Sequence, residues 1–566
     1  MQPIEPFLHT PRIAYFSMEI ALRSEIPTYA GGLGMLAGDT LRTAADLQMP
    51  MVAVSLVSRA GYFKQRIDAQ GQQHEEAEHW DPAQWATRLD AAVTVEIGGR
   101  AVWVNGWLYI MQSQIGGQQP VILLDTDLDV NHAEDRTITH YLYGGDERYR
   151  LQQEAVLGIG GVRILQALGF TIREYHLNEG HSALLGVELL RRYAIPLAEL
   201  RHGESPYDLH RVRDLCNFTT HTPIEAGHDK FAYELVEQVI DEIIARPVLH
   251  SLGGEERLNM TRLALNLSEY VNGVAIRHAE TSARMFPGYH VRAITNGVHP
   301  ATWTHKAFAQ IYDTHVPGWC HEPETLLRVD HVIADDAIWQ AHLQAKQDLL
   351  ELLQHTTTTT FNPDVITLGF ARRMTAYKRP DLLFTDLQRL RAIAHKYPLQ
   401  IVLAGKAHPR DEAGKALIRQ LHAFARDLND SIRIVFLPDY NMQLAQSLIA
   451  GVDLWLNTPL RPLEASGTSG MKATFNGVPN LSVLDGWWVE GCIEGVTGWA
   501  VGAGPEGAND SDSDALYRKL EQVVLPLYYQ DRTGWIQVMK GAISKNASYF
   551  NSYRMMRRYA SEAYIR

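Results

Sequence analysis

The most constraining feature of this chain is a recurrence of short apolar, β-branched runs separated by longer amphipathic stretches. The first half carries RIAYF from Arg12, MVAVSLV from Met51 and PVILLDT from Pro120. The second carries VITLGFA from Val365, QIVLAGK from Gln400, IRIVFL from Ile432, VDLWLN from Val452 and PNLSVLDG from Pro479. Runs this short, alternating with helical periodicity, predict βαβ units and hence an α/β chain with two parallel sheets. At 566 residues the chain exceeds the size at which one core keeps growing, so two domains enclosing a cleft are expected. The switch is placed near residue 300, between ITNGVHPATW from Ile294 and a helical stretch from Asp335 to Leu353. The expected division is 1–300, 301–540 and a helical, aromatic-rich tail 541–566 that packs back on the first domain. The polar run His355–Thr360 reads as a surface loop, and Gly504–Asp514 as an exposed one.

Composition narrows the function classes. With 46% hydrophobic and 21% charged residues the chain is globular. Its charge, 52 − 65 = −13 with the basic residues scattered, offers no footprint for nucleic acid or an anionic membrane. Any bound anion therefore needs a local cationic cluster. Cys216, Cys320 and Cys492 lack C-x-x-C spacing, which signals neither a zinc site nor a disulfide framework and fits a reducing compartment. The opening MQPIEPFLHTPRIAYF has no basic-then-apolar leader pattern, and no apolar run of about 18 residues occurs, so a cytoplasmic location is expected.

Three segments carry chemistry. Tyr29-Ala30-Gly31-Gly32-Leu33-Gly34 precedes a helical pattern, where glycines permit close backbone approach and the helix start offers N–H groups to an anion. The same turn also serves packing in many α/β proteins. Arg372, Arg373, Lys378 and Arg379 crowd the carboxyl end of the strand VITLGF, where open α/β sheets bind ligands. Elsewhere such a run would be a solvated turn. Glu464-Ala465-Ser466-Gly467-Thr468-Ser469-Gly470-Met471-Lys472 supplies glycines and hydroxyls suited to a phosphate, and a lysine able to form an imine.

This last segment resembles the E-A-S-G-T-x-x-M-K segment of α-glucan phosphorylases, in which the final lysine carries pyridoxal phosphate. The resemblance continues in order through YFSMEI, GGLG, HLNEGHSALL, FTTHTPIEAGHDKF, ITNGVHPATW, ARRMTAYKRP and VFLPDYN. The chain looks like the short bacterial branch, without the N-terminal extension that bears phosphorylation and nucleotide control in animal enzymes, which implies no such regulation. The resemblance implies two Rossmann-like domains facing a deep cleft, the GT-B architecture. It also implies phosphorolysis of an α-glucan or maltodextrin by inorganic phosphate to glucose 1-phosphate, with retention. Relatives commonly dimerise, so a homodimer is an expectation.

Carried over residue by residue, Lys472 holds pyridoxal phosphate while Thr468, Ser469 and Arg372 surround its phosphate, with Gly32 and Trp303 close by. The cofactor's phosphate is implied to exchange a proton with substrate phosphate rather than serve as an electron sink. Substrate phosphate is expected among Arg373, Lys378 and the Gly31-Gly32-Leu33 backbone. Glucose is expected against Glu464, Ser466, Gly467, Asn296, His221 and Tyr440, with the His221 carbonyl near C1. His181 either lines the cleft or only fixes the turn that opens the next helix.

Two departures stand out. Ala21 occupies the place of a tyrosine that approaches the pyridine ring in long phosphorylases. Trp487 and Trp488 replace smaller side chains, and their faces are expected to stack on sugar rings. The alternatives are a phosphorylase-like enzyme on a different glucoside, a sugar-nucleotide glycosyltransferase that needs no imine lysine, and a glycan-binding protein that has lost catalysis. No H-E-x-x-H or Cys/His set supports metal hydrolysis.

Overall fold

The computed structural model describes residues 4–10, 12–196, 198–200, 204–240, 242–502 and 511–565. The loop expected from Gly504 lies, through residue 510, outside the described residues. The chain is α/β and builds two large sheets. Across the first, the strands stand in the order Arg292–Ala293, Tyr270–Gly273, Cys216–Thr219, Glu174–Asn178, Ile13–Ser17, Met51–Leu56, Gln118–Asp125, Arg100–Gln112 and Thr87–Ile97. The second runs Arg433–Leu437, Leu399–Ala404, Ile366–Ala371, Leu454–Asn457, Asn480–Val483 and Gly498–Val501, all parallel. In chain order this second sheet reads 3-2-1-4-5-6, the doubly wound order of dinucleotide-binding folds. Its strands are apolar on both faces because helices cover both sides, and Ile366–Ala371 and Leu399–Ala404 are buried throughout.

One part of the first sheet departs from the βαβ expectation. Thr87–Ile97 and Arg100–Gln112 form an antiparallel hairpin, which itself pairs antiparallel with Gln118–Asp125. Its turn is Gly98-Gly99, with φ of 61° and 70°, the conformation a two-residue hairpin requires at both central positions.

Sheet order fixes where a ligand can sit. In each sheet the earliest strand is flanked on one side by a neighbour that reverses the winding: Ile13–Ser17 beside Glu174–Asn178, and Ile366–Ala371 beside Leu454–Asn457. Loops leaving these carboxyl ends part there and leave a crevice. They contribute Glu19, Glu179, Arg372, Arg373 and Thr458.

Two further arrangements hold these ends in place. The helix Asp335–Thr356 is pinned beneath the second sheet by a buried cluster, with Lys346 Nζ 2.7 Å and His342 Nε2 2.8 Å from the Asp453 carboxylate. Burial opposes the Asp453 charge, yet Lys346 and His342 hold its pKa down at about 2. The helix Ser552–Tyr559 lies against the helix Gly32–Asp46 and the first sheet. Tyr559 Oη reaches Thr219 Oγ1 at 3.1 Å and accepts from Asn272 at 3.0 Å, while Tyr564 Oη meets His176 at 2.8 Å.

Candidate active site

The loops at both switch points line one cavity of about 610 Å³. Gly31, Gly32, Leu33, His181, His221 and Asn296 come to it from the first half of the chain. Arg372, Arg373, Lys378, Tyr440, Glu464, Ser466, Gly467, Thr468, Ser469 and Lys472 come from the second. Trp303 lies behind this wall, buried, with its ring centroid 3.8 Å from Lys472 Nζ.

The glycine segment owes its shape to Glu19. This buried carboxylate accepts from the backbone N–H of Ala30 at 2.6 Å and of Gly31 at 3.1 Å, and from Tyr143 Oη–H at 2.9 Å. A Cβ on Gly34 would stand 2.6 Å from Glu19 Oε2, so glycine is needed for that approach. With Glu19 holding the first two N–H groups, Gly32 at the helix start faces the cavity. Arg373 reaches toward the same loop, its Nη2 being 3.6 Å from where a Gly31 Cβ would lie.

The four predicted cations have different partners. Lys378 Nζ donates to both Glu464 oxygens, at 2.9 and 2.8 Å, and Arg372 Nη1 lies 2.6 Å from Glu464 while also bonding Asn457. Burial would push the Glu464 pKa up, but Arg372 and Lys378 bring it down to about 2. Arg379 turns away to Asp512, at 2.6 Å. Arg373 has no carboxylate partner among the described residues. Burial works against its charge, yet Tyr62, Tyr377 and Glu19 hold its pKa above the ordinary value. It remains a guanidinium open to the cavity, whose planar fork can hold two oxygens of one anion.

Lys472 stands on the short helix Thr468–Thr474, entered through Gly467 in the left-handed conformation at φ 84°. Burial lowers its pKa to about 8, with Asp39 partly opposing. Trp303 donates its indole N–H to Asp39 at 2.8 Å, which fixes the ring face against the amine. A buried amine with a depressed pKa and no carboxylate in reach among the described residues is chemically suited to imine formation. Thr468, Ser469 and Arg372 line the cavity with it, so these residues fit pyridoxal phosphate.

Three more of the predicted residues carry a polar atom with no partner among the described residues. His181 Nδ1, Asn296 Oδ1 and Ser466 Oγ are buried and unsatisfied. All three belong to residues that line the cavity, and buried polar atoms are nearly always paired. His181 thus lines the cavity; it also forms an edge contact with Tyr143, and burial lowers its pKa to about 3. His221 pairs Nε2 with Asn178 Oδ1 at 2.7 Å, and its backbone N–H donates to Glu179 at 2.8 Å. Burial and three neighbouring histidines keep it neutral, so Nε2 carries the proton and Nδ1 is an acceptor.

One expectation is corrected. Trp487 and Trp488 are buried at 2% and 0% exposure and do not line the cavity. Trp487 packs edge-on against Phe550 and Trp488, with centroids 4.9 and 5.1 Å away, so neither face is available to a sugar. Their apolar area anchors the segment after Asp485 to the C-terminal helices instead.

Sequence motifs did not single out Glu19, Tyr143, Glu179, Tyr62, Arg150 or Asp229, all of which line the cavity. Glu179 sits at φ 73° and gathers the His221 N–H and the Thr222 hydroxyl, so a non-glycine residue in that region was a signal visible only in the backbone.

Comparison with known proteins agrees with this geometry. Residues 241–496 match the family described as carbohydrate phosphorylase. The chain is 37% identical to "Maltodextrin phosphorylase" of Thermococcus litoralis, over 98% of its own length and 70% of the relative's. It is 36% identical to "Glycogen phosphorylase" of Mycobacterium tuberculosis, again over 98% and 70%. With "Glycogen phosphorylase" of Aquifex aeolicus the identity is 35%, over 98% and 86%. A cationic pocket beside a glycine turn, a buried low-pKa lysine and this length of agreement lead to one assignment: the chain belongs to the carbohydrate phosphorylase family.

Proposed function

We propose that the chain is an α-1,4-glucan phosphorylase that transfers the non-reducing terminal glucose of an α-glucan or maltodextrin to inorganic phosphate, giving α-glucose 1-phosphate with retention, reversibly and in the cytoplasm. The observation that carries this reading is Arg373, a cation with no carboxylate partner among the described residues, held beside the glycine loop in a cavity that polar residues His181, His221, Asn296, Glu464 and Ser466 also line. An anion and a sugar are both called for in one cavity.

In this reading 1–300 and 301–540 are two Rossmann-like units facing a cleft, and 541–566 returns to the first. Arg373, Lys378 and the Gly32 N–H hold inorganic phosphate. Lys378 must then share its charge between phosphate and Glu464. Ser466, Gly467, Asn296, Tyr440 and His221 orient the glucose, with Glu464 accepting from its hydroxyls. The His221 carbonyl stabilises positive charge that develops at the anomeric carbon. Inorganic phosphate gives its proton to the glycosidic oxygen and forms the new C–O bond on the same face. Lys472, Thr468, Ser469 and Arg372 would hold pyridoxal phosphate, whose phosphate supplies an acid–base partner when bound. Water is kept out by the walls from both halves, which favours phosphorolysis over hydrolysis.

Purified protein given pyridoxal phosphate, maltodextrin and inorganic phosphate should release glucose 1-phosphate, and Lys472→Ala should not. No product from protein shown to bind the cofactor would overturn the reading.

A further inference from the structure

A small antiparallel ribbon, Lys64–Ile67 with Gln73–Glu76, extends from the first half of the chain onto the second. Its inward side chains include Gln65 and Gln73, at 3% and 2% exposure, where a packing contact would ordinarily place apolar groups. Gln65 Nε2 donates to the Gly405 carbonyl and to Gln73 Oε1, at 2.9 and 2.8 Å, while its Oε1 accepts from the Asp439 N–H at 2.8 Å. The Gln65 backbone N–H donates to Asp439 Oδ1 at 2.9 Å. Gln73 Oε1 accepts from the Ala407 N–H at 3.0 Å, and its Nε2 donates to the Ala407 carbonyl at 2.9 Å, so one side chain pairs like a strand neighbour. Lys406 completes the joint through the Phe63 carbonyl and Asp439, both at 2.7 Å.

Every second-half partner here belongs to a loop leaving the carboxyl end of Leu399–Ala404 or Arg433–Leu437. The same loops place Lys406, His408, Arg410, Tyr440 and Asn441 on the cavity. Two fully bonded amides specify a geometry that the neighbouring apolar contact of Ile67 alone would not.

We propose that Gln65 and Gln73 are positioning residues, a hydrogen-bonded clasp that holds the Lys406–Arg410 and Tyr440–Asn441 wall in place for the glucan. The clasp deepens the phosphorylase reading and rests on it for the identity of the ligand. Released, it leaves the phosphate site intact and the glucan wall loose.

The test compares the full chain carrying Gln65→Ala or Gln73→Ala with Arg66→Ala, which alters the exposed side of the same ribbon. Loss of buried pairing should raise the KM for maltodextrin roughly tenfold, with kcat and the phosphate KM nearly unchanged. Amide exchange should quicken in 405–408 and 438–441, and Arg66→Ala should change neither quantity. Gln73→Met, which keeps the side-chain length and loses both the acceptor and the donor for Ala407, is the second variant. Faster exchange with an unchanged maltodextrin KM, or unchanged exchange, would overturn the proposal. Wild-type protein that makes no glucose 1-phosphate would refute the phosphorylase reading instead. Exchange and calorimetric binding of maltodextrin would then still decide the clasp.

Discussion

Lys378 places its ammonium between the two oxygens of Glu464, 2.9 and 2.8 Å away, and Arg372 approaches the same carboxylate at 2.6 Å. The pair is buried, so either charge alone would be costly there. Glu464 titrates at about 2 in the fold against 4.5 for a free glutamate. A lowered carboxylate pKa contributes stability that is present above about pH 4.5 and is lost as pH falls toward about 2. Glu464→Gln should therefore be less stable than wild type at neutral pH and converge with it at the acid end. Urea midpoints across that range check this, and a gap that stays constant with pH would contradict it.

Lys472 shows the opposite linkage. Its folded pKa, about 8, lies below the 10.5 of a free lysine, so folding is disfavoured below pH 8 by the difficulty of burying the charge. The penalty fades between 8 and 10.5 and vanishes above. Lys472→Met should stabilise cofactor-free protein at pH 7 by on the order of 2–3 kcal/mol, with the advantage shrinking through that window. Denaturation at pH 7 and pH 10 distinguishes this from a simple packing gain, which would persist.

On the phosphorylase reading, Glu19 acts on phosphate through the backbone it holds. Glu19→Ala removes the acceptor of the Ala30, Gly31 and Tyr143 bonds together. Loosening of the loop should raise the phosphate KM by about tenfold or more, with a much smaller change for maltodextrin. Steady-state kinetics with each substrate varied gives the answer, and equal effects on both would point to general loss of structure.

Gly297, in the ITNGVHP segment, lies directly beneath the tail. A Cβ there would meet the Asn551 carbonyl at 2.0 Å, backbone against backbone, which leaves no side chain to move aside. Gly297→Ala should cost about 3 kcal/mol and lift the helix Ser552–Tyr559 from its seat. Faster tryptic cleavage at Arg557 and Arg558 would report the release, and an unchanged cleavage rate would rule it out.

Sequence reasoning reached furthest where chemistry and periodicity coincide. The strand runs around Ile366, Leu399, Arg433, Leu454 and Asn480 fold as parallel strands, and three of the four cations after Ala371 (Arg372, Arg373 and Lys378) meet Lys472 in one cavity. It fell short where meaning depends on a distant partner. Glu19 and Tyr143 are separated by 124 residues, and although Glu19 falls within YFSMEI nothing in the sequence pairs it with Tyr143, so only folding shows them joined. Gln65 and Gln73 carry no signal in the sequence, because amides are ordinarily solvated. The tryptophan pair misled for the related reason that a large aromatic fits a core as readily as a sugar face.

The seating of Tyr559 and Tyr564 on Thr219, Asn272 and His176 bears on how the molecule is made. A nascent chain that has exposed all the strands of the first sheet still leaves the side chains of Tyr15, Leu41 and Tyr270 uncovered, since their apolar cluster is completed by Met555, Met556 and Tyr564. That surface stays uncovered until residues 555–564 have been made. The first sheet therefore reaches its final packing only after the whole of the second sheet has been synthesised.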